Sequence, residues 1–294
     1  AIQIEPSSGD TITISRGSGG ALEFVYAIVT GGVSLARLAG LLGNTSVLVV
    51  GAGAEYSSIQ DAIDAVPATS SATNPHAILV TPGVYTESLT VSKDGISIIG
   101  IGNPSIVADV ETSDALTLQD SVSTQPRYFS ISGCTISCDQ DNSSCVRVIG
   151  GAGSRGGEDQ IALKDLQLKP AGIGSRSLRA ETTGNIVAEG GDWGVAETTY
   201  VEAVQCASLI LKGIKNLSAV NITFTDAGAV SSSSVGTYVL QDLANTGDVL
   251  INMEGDGSAI ISACPDMGDV TCGGDQSLKA VSYTHLRAHE TNVD

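Results

Sequence analysis

One short pattern recurs along this chain: apolar, any, apolar, any, Gly or Asp, apolar. It appears at Ile96, Ile98, Gly100 and Ile101, and again at Phe129, Ile131, Gly133 and Cys134. It returns at Ile161, Leu163, Asp165 and Leu166, and at Leu209, Leu211, Gly213 and Ile214. Alternation before the Gly or Asp describes a strand with one face turned inward, and the small or turn-tolerant residue lets the chain bend to its next face. Successive Gly/Asp positions lie 33, 32 and 48 residues apart, which suits turns of about 20–25 residues with inserted loops, the last interval spanning two turns. Stacked in this way, each turn buries its apolar residues on the next, and the expected fold is all-β: a right-handed parallel β-helix. AVNITFTDAG around Asn221, followed by TYVLQ and DVLIN, continues the theme. The same short strands would also serve a β-sandwich. With 42% hydrophobic but only 4% aromatic residues, the core must be thin layers of Val, Ile, Leu and Ala.

The stretch from Tyr56 to Gly102 opens this repeat. Ser57 and Ser58 precede a helical pattern in which Ile59, Ala62, Ile63 and Val66 share a face and Pro67 ends the helix, predicting a short capping helix. A short apolar strand, AILV, a TPG turn, the alternating VYTESLTV and the Gly-terminated GISIIGIG follow. In this order, YSSIQDAIDAVP, ILVTPGVYTESLTV and ISIIGIG resemble the opening of the pectinesterase and pectin-lyase-like β-helix families. The resemblance covers 47 residues, about a sixth of the chain, and implies the right-handed parallel β-helix. A pectinesterase would further need a nucleophilic Asp, a second Asp as acid/base, oxyanion-stabilising Gln side chains and an orienting Arg. Its usual markers, resembling G.QAVAL, QDTL, DFIFG and GR.W, are not present in full. Gln119-Asp120 precedes Ser, Gln241-Asp242 precedes Leu-Ala, and Trp193 sits in GGDWG without an adjacent Arg. Asp120 and Asp242 therefore read as turn residues.

Three regions follow. Residues 1–50 form an apolar lead-in for capping or assembly, residues 51–265 the β-helix, and residues 266–294 a tail whose last 14 residues, VSYTHLRAHETNVD, are out of character and expected not to be native. The chain begins at Ala1 without an initiator Met, as a processed chain or a fragment would. Its longest apolar region, 20–43, is interrupted by Glu23 and Arg37, so no membrane span is expected.

A formal net charge of −18 repels phosphates and argues against a nucleic-acid partner. The same excess suits a soluble surface, or Ca²⁺ held by Asp139 and Asp141; no other cofactor is expected. The six cysteines lack zinc-site spacing. Local disulfides Cys264–Cys272 and Cys138–Cys145 suit an exported protein, while buried free thiols stacked in a solenoid suit the fold equally.

Catalytic candidates are acidic groups beside a cation: Asp139 and Asp141 with Arg147, and Glu158 and Asp159 near Arg155. Such groups would serve a lyase that removes a proton next to a carboxylate. His76, in an Asn-Pro-His turn, reads as a surface residue. The leading expectation is an extracellular or virion-surface structural or adhesion protein, tailspike- or fibre-like, self-associating as a trimer or filament and touching a polysaccharide. The alternatives are a carbohydrate-active enzyme of esterase, lyase or hydrolase class, or a repeating subunit of an extracellular filament. Two close carboxylates with an Arg or Lys along the parallel sheet would favour the enzyme.

Overall fold

The computed structural model describes residues 46–109, 114–119, 128–150, 160–181, 184–194, 200–204, 206, 208–216, 219–224, 237–244, 248–253, 258–262, 264, 270–273 and 277–280. The entrance holds β1 (Ser46–Val50), α1 (Ile59–Ala65), β2 (His76–Val80), β3 (Val84–Thr86) and β4 (Leu89–Val91). The next two turns supply β5 (Ile96–Gly100), β6 (Ser105–Val107) and β7 (Leu116–Leu118), then β8 (Phe129–Ser132), β9 (Thr135–Cys138) and β10 (Ser144–Ile149). They are followed by the long β11 (Gln160–Pro170), β12 (Arg176–Glu181), β13 (Asn185–Asp192), β14 (Tyr200–Val204) and β15 (Ser208–Lys212). The last layers are β16 (Ala219–Phe224), β17 (Thr237–Gln241), β18 (Asp248–Met253), β19 (Ser258–Ser262), β20 (Val270–Gly273) and β21 (Ser277–Ala280).

Every pairing between these strands is parallel. One face runs β1, β2, β5, β8, β11, β13, β15, β17, β19, β21, and a second runs β4, β7, β10, β12, β14, β16, β18, β20. A short third face of β3, β6 and β9 joins the far half of β11. The fold is thus a parallel β-helix, and the sandwich, which needs antiparallel neighbours, does not occur. Parallel connections within a sheet are right-handed in about 98% of cases.

The interior is a set of columns. Ile78, Ile98, Ile131, Leu163, Ala188, Leu211, Leu240 and Ile261 lie in register on successive strands of the first face. All of them are buried. The bends form a column as well: Gly133, Asp165, Gly190, Gly213 and Asp242 have φ of 65°, 50°, 70°, 63° and 53°. Gly190 sits inside the 48-residue interval, which therefore does hold two turns. Gly100 differs. Its φ is not left-handed, but an added Cβ would run into the Gly133 carbonyl and the Cys134 sulfur, so there close approach excludes a side chain.

The entrance motif has a physical reading. Ser58 caps α1, its Oγ accepting from Asp61 N at 3.2 Å. Glu87, from the strand region, accepts from Ile59 N at 2.8 Å, Gln60 N at 3.0 Å and Ser58 Oγ at 2.7 Å. It thereby satisfies first-turn amides that have no partner within a helix. At the other end Lys93 Nζ donates to Ile63 O at 3.0 Å and to the carbonyls of Asp64 and Val66, both at 2.7 Å. Gln60 acts as a substitute strand: its Oε1 accepts from Thr90 N at 2.8 Å and its Nε2 donates to Thr90 O at 3.2 Å. These bonds cover the free edge of β4.

The stack runs from Ser46 to Ala280, beyond the 51–265 read from the repeat. SVLVV in β1 lies within the apolar lead-in, and Gly/Asp-rich sequence between the last strands dilutes the pattern. Residues 1–45 and 281–294 lie outside the described residues. One expectation is corrected: His76 is buried, because it opens β2 between β1 and β5 rather than sitting in the turn. No described helix is long and apolar enough to cross a membrane.

Candidate functional site: a charged row on the second face

Three consecutive strands of the second face place a charged residue in an outward slot between two inward ones. In β10, Val146 and Val148 are buried and flank Arg147; in β12, Leu178 and Ala180 flank Arg179; in β14, Val201 and Ala203 flank Glu202. The register sets Arg147 beside Arg179 and Arg179 beside Glu202. Neighbouring strands are about 4.8 Å apart, so two stacked guanidiniums would repel unless carboxylates came between them. They do. Arg147 Nη1 lies 3.2 Å from Asp114 Oδ2, and its Nε 3.0 Å from Glu181 Oε2. Arg179 Nη2 lies 2.8 Å from Glu181 Oε1, and its Nε 3.3 Å from Glu202 Oε2. Arg176 Nε closes the row at 2.6 Å from the same Glu202 oxygen.

The six groups alternate in sign: Asp114, Arg147, Glu181, Arg179, Glu202, Arg176. They are half-buried, with side-chain exposures between 10% and 30%. Asp114 is the most enclosed, and its Oδ1 also accepts from Ser144 N at 2.8 Å. Burial works against the charge of Arg147, but the hydrogen bond and charge of Glu181, then those of Asp114, outweigh it and hold its pKa above the ordinary value. Arg147 stays cationic and bridges two carboxylates through different nitrogens. Two carboxylates thus share one guanidinium, and a carboxylate pair is the residue set on which glycoside hydrolysis draws. The guanidiniums, in turn, suit a carboxylate or hydroxyl on a ligand.

Of the residues singled out from sequence, only Arg147 belongs to this row. Asp139 and Asp141 lie in the turn between β9 and β10. There Asp139 Oδ1 accepts from Gln140 Nε2 at 3.0 Å, and Asp141 Oδ1 from Ile173 N at 2.8 Å, fastening one turn of the helix to the next. They are not brought into contact with Arg147, whose partners are Asp114 and Glu181. Glu158, Asp159 and Arg155 lie outside the described residues. Among the described residues no group of three or more His, Cys, Asp or Glu is placed to hold a metal. Asp242 is a bend residue with φ 53°, Trp193 is fully buried in the core, and Asp120 lies outside the described residues. The Cys264 thiol donates to Ser262 O at 3.2 Å; the Cys272 side chain lies outside the described ones.

Asp114, Glu181, Glu202, Arg176 and Arg179 were not anticipated. For Arg179, Glu181 and Glu202 the signal is a charge in an outward slot of SLRAE and YVEAV; Asp114 precedes β7 and Arg176 opens β12 without such a mark, and the adjacency of all five comes only from register.

No family model and no curated protein sequence matches the chain. Among solved structures it is similar to pectin methylesterase from carrot, at 14% identity over 83% of this chain and 88% of that one, with a TM-score of 0.42. It is also similar to pectin methylesterase PemA from Erwinia chrysanthemi, at 15% identity, 80% and 92% coverage and a TM-score of 0.43. A third, a pectin methylesterase in complex with a hexasaccharide, is 17% identical over 76% of this chain and 70% of that one, with a TM-score of 0.38. The parallel β-helix itself stands on the all-parallel strand order of this chain.

Proposed function

We propose that the protein is a carbohydrate-active enzyme that works outside the cell on a polysaccharide laid along its second face. The observation that carries this reading is the carboxylate pair Asp114 and Glu181 held on one guanidinium, Arg147, continued by Arg179, Glu202 and Arg176. Such a pair supplies an acid/base and a nucleophilic or charge-stabilising group, and the arginines supply binding for an acidic or hydroxyl-rich polymer. The row sets three arginines against three carboxylates within a chain of net −18, so an acidic polymer meets less repulsion there than the net charge of the chain would impose.

The test is incubation of the full chain with methyl-esterified and de-esterified polyuronates and with neutral glucans. Methanol release, new reducing ends and ultraviolet absorbance of unsaturated uronate separate esterase, hydrolase and lyase. Turnover that falls at least tenfold in Glu181→Gln, with an unchanged circular dichroism spectrum, supports the reading. No turnover on any polymer overturns it.

A second reading is favoured by the opposite flank of the prism. On the first face Ala162, Val187, Ile210, Val239 and Ile260 form one outward column, beside a column of Lys164, Glu189 and Lys212. An apolar strip next to alternating charge is self-complementary and suits a second copy, as in a tailspike-like or filament-forming surface protein. Light scattering decides between them: a monomer that turns over substrate leaves no place for this reading, whereas an inactive oligomer that dissociates in Ile210→Glu establishes it.

A further inference from the structure

Two cysteine sulfurs lie in contact just beneath the charged row. Cys138 ends β9, Cys145 is the second residue of β10, and the turn between them passes through Asn142 at φ 58°. Their sulfurs are 3.6 Å apart, and both residues are buried, at 2% and 0% exposure. The other described cysteines are directed at carbonyls: Cys134 at Ser132 O, Cys206 at Ala180 O and Cys264 at Ser262 O. Burial holds the Cys145 thiol up, while the hydrogen bond from Cys145 brings the Cys138 thiol down, so Cys138 is the better nucleophile of the two.

We propose that Cys138 and Cys145 form an intrachain disulfide that locks the turn carrying the anchor of Asp114. The anchor is the Ser144 N–H, one residue before Cys145, which donates to Asp114 Oδ1 at 2.8 Å. Asp114 in turn holds Arg147, two residues after Cys145. A covalent bond at this point fixes the end of the row from which Arg147 is oriented. An S–S bond of about 2.05 Å requires the sulfurs to close by roughly 1.5 Å.

The chemistry balances with a low-molecular-weight disulfide as oxidant. The Cys138 thiolate attacks one of its sulfurs, forming a mixed disulfide and expelling a thiolate. Cys145 then gives up its proton and attacks the Cys138 sulfur, expelling the second thiolate. Two protein thiols are oxidised and one small disulfide is reduced to two thiols. Because both sulfurs are enclosed in the finished fold, the bond forms as the chain folds and is shielded afterwards.

The test uses the full chain, refolded with oxidised glutathione or with a thiol reductant, alkylated, and cut with a protease that cleaves before Asp. Cleavage at Asp139 and Asp141 separates the two cysteines, so a disulfide shows as two fragments that part only on reduction. The oxidised protein should yield that linked pair and melt about 5–10 °C above the reduced one. Separate fragments with both cysteines alkylated, or a link to a different cysteine, overturn the proposal. A linked pair with an unchanged melting temperature overturns the locking. No substrate enters this test, so its result stands apart from that of the polysaccharide reading.

Discussion

Arg147 is held by two carboxylates through two different nitrogens, 3.2 and 3.0 Å away, and only a guanidinium has that reach. Lysine would keep the charge as a single point and lose one partner. Arg147→Lys should therefore unfold in urea within about 1–2 kcal/mol of the parent while losing at least tenfold in polysaccharide turnover. An equal loss of both would make the residue a structural bridge only. Glu87 has the opposite balance. It accepts three hydrogen bonds at the start of α1 and touches nothing in the charged row. Glu87→Ala should cost about 1–3 kcal/mol in urea unfolding and leave any activity of the folded protein unchanged.

At the scale of the element, the entrance was legible because its partners stand close in sequence and each piece carries its own signal. Ser58, the apolar face of α1 and Pro67 mark a helix; Glu87, Gln60 and Lys93 then bind it to β4 and its flanks. The motif's acid and amide are structural: Glu87 caps α1 and Gln60 covers the edge of β4. Gln60→Ala would leave the amide and carbonyl of Thr90 without this partner. Hydrogen exchange at Thr90 should then speed up by about fivefold, as expected for the loss of roughly 1 kcal/mol of protection; unchanged exchange would mean that water replaces Gln60 at no cost. The charged row was not legible. Asp114, Arg147, Glu181 and Glu202 stand 33, 34 and 21 residues apart, and nothing local states which outward slot of one turn lies over which slot of the next. The acidic turn Asp139–Asp141 drew attention through its density of charge, yet Asp141 is spent on the Ile173 amide. His76 misled for a related reason: a Pro before it reads as a turn, but β1 and β5 on either side draw it into the sheet.

For the molecule as a whole, burial of sulfur sets an alkaline limit. The Cys134 thiol is pushed up to about 12 by burial, against an ordinary 9.0. Between these values the folded chain keeps a proton that the unfolded chain releases. Stability from this site is therefore complete below pH 9 and is lost as pH rises towards 12, by about 1.4 kcal/mol per unit. Urea midpoints measured from pH 8 to 11 should fall, and should fall less steeply in Cys134→Ala; identical slopes would clear this thiol of responsibility.

The charged row advances by one strand at each turn, so its rungs are spaced by the strand repeat of about 4.8 Å. That step is close to the length of one sugar ring, and β10, β12 and β14 carry it over three successive turns. The face is in effect a ruler. Affinity for an oligosaccharide should climb with each added unit and level off once roughly three units are bound, because beyond the third rung there is nothing left to count.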